Sequence, residues 1–184
     1  MAATPPPQQL PLPASLESVQ IQSLPATAFY IADFISEEEE QHILQRPKYH
    51  EYAEKVTVLT DSQDGSAYHP VVCTVSLGAS LCLNIYKNNE DGTLHPEPVA
   101  RILQEPRSLL ITTDYLYTDY LHGIADIEED VDLSPSTVAN WDLLRSRDPF
   151  ASGQNSRQTR VSLTYRDVLK VSKLGNKFGM FKRP

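Results

Sequence analysis

In "ASLCLNIYKN", Leu81, Leu83 and Ile85 alternate with other residues, a period of two that puts them on one face of a strand. Five segments have this β character: "PVVCTVSL" (70–77), "SLCLNIY" (80–86), "RSLLIT" (107–112), "DYLHGIA" (119–125) and "TRVSLTYRDV" (159–168). Turn signals such as "LGAS" and "NNEDGT" part them. Leu77-Gly78-Ala79-Ser80 joins the first two runs and predicts a hairpin. Ahead of them, "TAFYIADFI" (27–35) predicts a short strand and "SEEEEQHILQ" (36–45) a helix. Ser36 is a good N-cap, and Glu39 completes a capping box. The four glutamates suit the positive end of the helix dipole and predict a solvated helix start, and Pro47 stops the helix. "KVTVL", within 47–65, has β-branched residues in loop-like surroundings. Many short strands with long links predict a mainly β fold, an antiparallel sandwich or jelly roll with the amino-terminal helix packed on one sheet.

Length and composition divide the chain. A length of 184 residues suits one domain with appended tails. Residues 1–26 form a proline-rich lead-in without a regular period, 27–170 the β body, and 171–184 a basic tail. Within the body, 46–63 is atypical, and 126–158 reads as a long acidic and polar loop, partly disordered. Trp141, Leu143 and Leu144 suggest one short helical patch in that loop, and the acidic run 128–132 reads as solvated. A net charge of -8 argues against coating nucleic acid by bulk electrostatics but leaves room for a local basic groove. The basic patches are "RSR" (145–147) and "KLGNKFGMFKR" (173–183), the latter read as an exposed tail. Cys73 and Cys82 lie in apolar strand-like runs and read as buried thiols rather than a disulfide. The amino terminus lacks the pattern of a signal peptide, and no apolar run approaches the roughly 18 residues of a membrane span. The expectation is a soluble intracellular protein of nucleus, cytoplasm or both, with no membrane partner.

Three polar features carry candidate chemistry: Asp64-Gly65 before the strand at 70–77, His122 in "YLHGI", and Arg160 with Arg166 in "RVSLTYR". Each has an ordinary role. Asp before Gly is a common turn, a lone strand histidine is usually a satisfied core residue, and paired arginines usually meet surface acids. Strand parity puts Arg160, Ser162, Thr164 and Arg166 on one face, and Val161, Leu163 and Tyr165 on the other. Together the features are more specific. A carboxylate and an imidazole can hold a ferrous ion, and a same-face Arg, Ser and Arg can bind a dicarboxylate through bidentate forks.

The runs "DGSAYHPVVCTVSLGAS", "EPRSLLITTDYLYTDYLHGIA" and "TRVSLTYR" resemble the AlkB-type iron(II)/2-oxoglutarate dioxygenases, and most of all the subgroup called AlkB homolog six. "YIADFISEEEE" resembles that subgroup's entry strand and helix, so the likeness covers roughly 27–45 and 64–170. The resemblance implies a double-stranded β-helix, a form of jelly roll, here incomplete. It implies Fe(II) on Asp64 and His122, and 2-oxoglutarate on Arg160, Ser162 and Arg166. It further implies O2 as a reactant, and oxidative demethylation or hydroxylation of a nucleic-acid or protein substrate.

Two departures stand out. The family motif His-x-Asp has Ser62 where its histidine belongs. The stretch 46–63 is too short to carry the family's Asn-x-Tyr strand and substrate-gripping flap. A serine hydroxyl is a poor iron ligand beside imidazole, and even an outer-shell loss costs about 10–100-fold in metal affinity. In an extended backbone Asp61 and Gln63 face away from Asp64, and His69 has the wrong parity, so His122 is the better ligand. Three outcomes follow: a dioxygenase, an inactive relative that retains a 2-oxoglutarate-like pocket, or an unstable fragment from a splice variant or gene-model error.

Overall fold

The computed structural model describes residues 15–24, 27–45, 68–89 and 91–168. Asp64, Ser62, most of the proline-rich lead-in, all of 46–63 and the basic tail fall outside them. A short 3-10 turn at Leu16–Val19 leads to β1 (Ala28–Ile31) and α1 (Glu37–Leu44). Then come β2 (Tyr68–Leu77), β3 (Leu81–Lys87), β4 (Ala100–Gln104), β5 (Leu109–Thr113), α2 (Asp114–Thr118) and β6 (Tyr120–Gly123). Two short strands, β7 (Glu129–Asp130) and β8 (Asn155–Ser156), flank 3-10 turns at Trp141–Leu143 and Asp148–Phe150, and β9 (Val161–Val168) follows.

The fold is mainly β, as the alternating pattern predicts. One antiparallel sheet has the order β1-β5-β2-β9, a second β4-β3-β6, and β7 pairs with β8. β2 and β3 do not form the predicted hairpin, because they belong to different sheets. Gly78 makes the difference. Its φ of +83° turns the chain out of the first sheet, and a Cβ there would meet the Thr159 carbonyl oxygen at 2.7 Å. A turn signal marks where a strand ends and does not say which sheet the next strand joins. β4, which the pattern missed, pairs with β3 from Leu81↔Gln104 to Ile85↔Ala100.

The predicted helix forms with its capping box intact. Ser36 Oγ accepts from the Glu39 N–H at 3.1 Å, and Glu39 Oε2 accepts from the Ser36 N–H at 2.8 Å. Ile43 and Leu44 pack with Val75, Leu77, Leu109, Val161 and Leu163 on the outer face of the first sheet. Glu40 departs from the solvated expectation. It is buried, accepts from the Gly78 N–H at 2.8 Å and lies 3.6 Å from the Arg107 guanidinium. The helix thus braces the turn between the sheets.

The stretch after β6 is packed rather than loose. Leu133, Val138, Leu144 and Phe150 are buried in the main core. Trp141–Leu143 forms the short helical patch the sequence suggests. The Asn140 side chain bonds both the N–H and the carbonyl of Leu103 at 2.8 Å, and so caps the open edge of β4. Asp130, within the acidic run expected to be solvated, is instead 1% exposed. Arg157 grips it with a fork, Nη2 to Oδ1 at 2.7 Å and Nε to Oδ2 at 3.2 Å. Asn155 Nδ2 and the Cys82 N–H also donate to this carboxylate. Buried charge is tolerated here because every oxygen has partners. Cys73 and Cys82 are free thiols, and burial pushes the Cys82 thiol up to about 11. Among the described residues, no helix is long and apolar enough to cross a membrane.

Candidate functional site

The two main sheets face each other across a cavity of about 120 Å³. Strand register orders its lining into rungs. β2 pairs Val72 with Thr112 and Arg166, Thr74 with Leu110 and Thr164, and Ser76 with Ser162. Residues two apart share a face, so Val72, Thr74 and Ser76 point inward with these partners. The four residue steps from Val72 to Ser76 span about 13 Å. The same alternation puts Val75, Leu77, Val161 and Leu163 against α1 on the other face. On β9 the side against α1 is therefore apolar, and the side toward the cavity carries Ser162, Thr164 and Arg166.

At the Ser76 end sits Arg160, just before β9. Its Nη2 donates to Ser76 Oγ at 2.7 Å and to Gln104 Oε1 at 2.6 Å, and its Nε reaches Ser76 Oγ at 3.2 Å. Ser76 Oγ in turn donates to Gln104 Oε1 at 2.8 Å. Ser76 and Gln104 are both buried, one from each sheet. Burial, then the nearby Arg157 charge, brings the Arg160 guanidinium down to about 10, so it stays charged at neutral pH. Its hydrogen-bond partners are neutral, and no carboxylate pairs with it among the described residues.

At the other end stand Arg166, Thr112, Tyr117 and His122. α2 follows β5 directly and carries the chain from the first sheet to β6 in the second. Its Leu116 carbonyl lies 2.9 Å from His122 Nε2. A carbonyl only accepts, so the neutral ring holds its proton on Nε2 and leaves the Nδ1 lone pair available. Burial lowers the His122 pKa below its usual 6.5, partly offset by that hydrogen bond, which favours the neutral, ligating form. The Tyr117 hydroxyl is buried without a hydrogen-bond partner among the described residues.

Four residues singled out in the sequence, His122, Arg160, Ser162 and Arg166, thus line one cavity. Asp64 and Ser62 lie outside the described residues. His69 stands apart on an exposed stretch of β2, 4.0 Å from Asp167. Among the described residues, no cluster of three His, Cys, Asp or Glu is placed to hold a metal. Sequence reasoning missed Ser76, Gln104 and Tyr117. Ser76 and Gln104 had one detectable signal, a polar residue in an otherwise apolar strand run.

No family model matches the chain. It is similar to a curated protein of Danio rerio, Probable RNA/DNA demethylase ALKBH6, at 28% identity over 219 residues. The match takes in 85% of this chain and 92% of that relative. A matched span of 219 residues is longer than this chain's 184, so the relative has residues opposite gaps here. That agrees with a segment missing from this chain. The likeness extends well beyond the motifs around His122 and Arg160, and it supports an AlkB homolog six-like relative.

Proposed function

We propose that the chain is an AlkB-type Fe(II)/2-oxoglutarate-dependent dioxygenase that oxidises an N-methyl or similar group on a nucleic-acid or protein substrate. The two facing sheets are read as an incomplete double-stranded β-helix. The observation that carries the proposal is Arg160: a buried guanidinium, held in place by neutral Ser76 and Gln104, in the same cavity as His122. Burying a charge without a counter-charge is costly, and an anionic ligand would remove that cost. Ser76 and Gln104 fix the guanidinium so that its remaining N–H groups can fork onto a carboxylate. Ser162 and Thr164 add hydroxyls along the cavity wall, and Arg166 adds a second cation at the far end. This lining suits a dicarboxylate such as 2-oxoglutarate.

A metal would rest on His122 Nδ1 and on Asp64. When bound, iron(II) supplies the activation of O2 that such oxidations need. The Leu116 carbonyl would orient the imidazole, the usual task of a group behind a ligating histidine.

A second reading has its own support. Ser62 stands where the family motif has a histidine, which leaves two protein ligands. On that reading the pocket binds the dicarboxylate without turnover. Succinate formation from 2-oxoglutarate, with Fe(II), ascorbate and O2, separates the two. Succinate release by the wild-type chain supports the dioxygenase. No release by the wild type, but release by Ser62→His, supports the inactive relative. No release by either protein contradicts the dioxygenase reading.

A further inference from the structure

We propose that Tyr117 is a specificity-determining residue, whose hydroxyl donates a hydrogen bond to the end of the bound dicarboxylate opposite Arg160. The inference rests on the 2-oxoglutarate reading of the cavity and adds a residue that neither the motifs nor the strand pattern points to. Buried polar groups in folded proteins nearly always have partners, so an exception calls for an explanation. The Tyr117 hydroxyl is such an exception among the described residues. Its side chain lines the cavity.

Register places it at a definite end. Arg160, Ser76 and Gln104 close one end of the cavity. Thr113, the last residue of β5, pairs with Val71, at the opposite end of the β2 rungs. α2 begins immediately after Thr113, and its Leu116 carbonyl meets His122. Tyr117 therefore belongs to the His122 end. A ligand with one carboxylate on Arg160 extends toward His122 and brings its second oxygen-bearing end to Tyr117. A phenol is a good donor to an anionic oxygen, and such charge-assisted bonds are stronger than neutral ones. The hydroxyl would thus discriminate against ligands that present no acceptor at that end.

Calorimetric titration of the full chain with 2-oxoglutarate, with and without Mn(II), tests this in three proteins: wild type, Tyr117→Phe and Arg160→Met. Tyr117→Phe removes one oxygen and leaves the ring. The expected result is a dissociation constant raised about 10-fold in Tyr117→Phe, with an unliganded melting temperature equal to or above wild type. Succinamate, an acid with an amide in place of one carboxylate and no keto group, should lose less affinity in this variant than 2-oxoglutarate does. Unchanged 2-oxoglutarate affinity in Tyr117→Phe, beside weakened binding in Arg160→Met, overturns the role of Tyr117 and leaves the pocket reading standing. Absence of binding in the folded wild type overturns both. A lowered melting temperature in unliganded Tyr117→Phe also overturns the inference, because it gives the hydroxyl a structural partner.

Discussion

Arg157 and Arg160 both carry their guanidinium groups inward on the approach to β9, yet their partners differ in kind. Arg157 forks onto Asp130, a carboxylate 1% exposed, and also donates to the Ala125 carbonyl. Among the described residues Arg160 hydrogen-bonds only the neutral oxygens of Ser76 and Gln104. The first arrangement is electrically closed, and it ties the stretch after β6 to the edge of the second sheet. The second is geometrically fixed, and no acid pairs with its positive charge among the described residues. A buried cation with an acid beside it serves the fold, and one held by neutral donors and acceptors at a cavity is prepared for an anion.

Breaking the closed pair should have the largest effect. Asp130→Ala leaves Arg157 buried without its counter-charge and should cost about 3–5 kcal/mol in urea or thermal unfolding. Arg160→Met should do the reverse. Its stability should stay within about 1 kcal/mol of wild type, because the removed charge has no ionic partner among the described residues. Its affinity for 2-oxoglutarate should fall on the order of 100-fold. If Arg160→Met unfolds the protein as severely as Asp130→Ala, the distinction between the two arginines collapses.

Gly78→Ala is the change expected to act on both properties. The positive φ strains any side chain there by about 1–2 kcal/mol, and the new methyl would push on the Thr159 carbonyl, next to Arg160. Lower stability together with weaker 2-oxoglutarate binding is the expected result, read by melting and titration on the same sample. The smallest effect concerns pH. The native His122 pKa lies below 6.5, so between the native and unfolded values the unfolded chain binds the extra proton. The contribution of the neutral ring is fully present above pH 6.5 and is lost as pH falls through the native value. His122→Gln should flatten this part of the stability profile, and the titration of the ring proton by NMR gives the native value directly.

Much of this was legible in the sequence because local rules decide it. Ser36 and Glu39 announce the helix cap, and the period of two along 159–168 separates the cavity face from the core face of β9. Other features depend on distant partners. Gly78 looks like a hairpin turn, yet it carries the chain between sheets. Leu133, Val138, Leu144 and Phe150 follow no helical or strand period, so their burial leaves no local trace. β4 is short and begins and ends in polar company, which hides its alternation. The site divides in the same way. Arg160, Ser162 and Arg166 lie on one strand and could be seen as a set. Gln104 and Tyr117 reach the cavity from two other elements, Ser76 holds Arg160 from a third, and only the folded chain assembles them.

The most direct test of the unpaired-cation account is the melting temperature of wild type and Arg160→Met, each measured with and without saturating 2-oxoglutarate. Mass action then gives a ligand-induced rise in wild type that grows with concentration, and a much smaller rise in the variant at the same concentration. An equal rise in both proteins, or none in a cooperatively folded wild type, would contradict it.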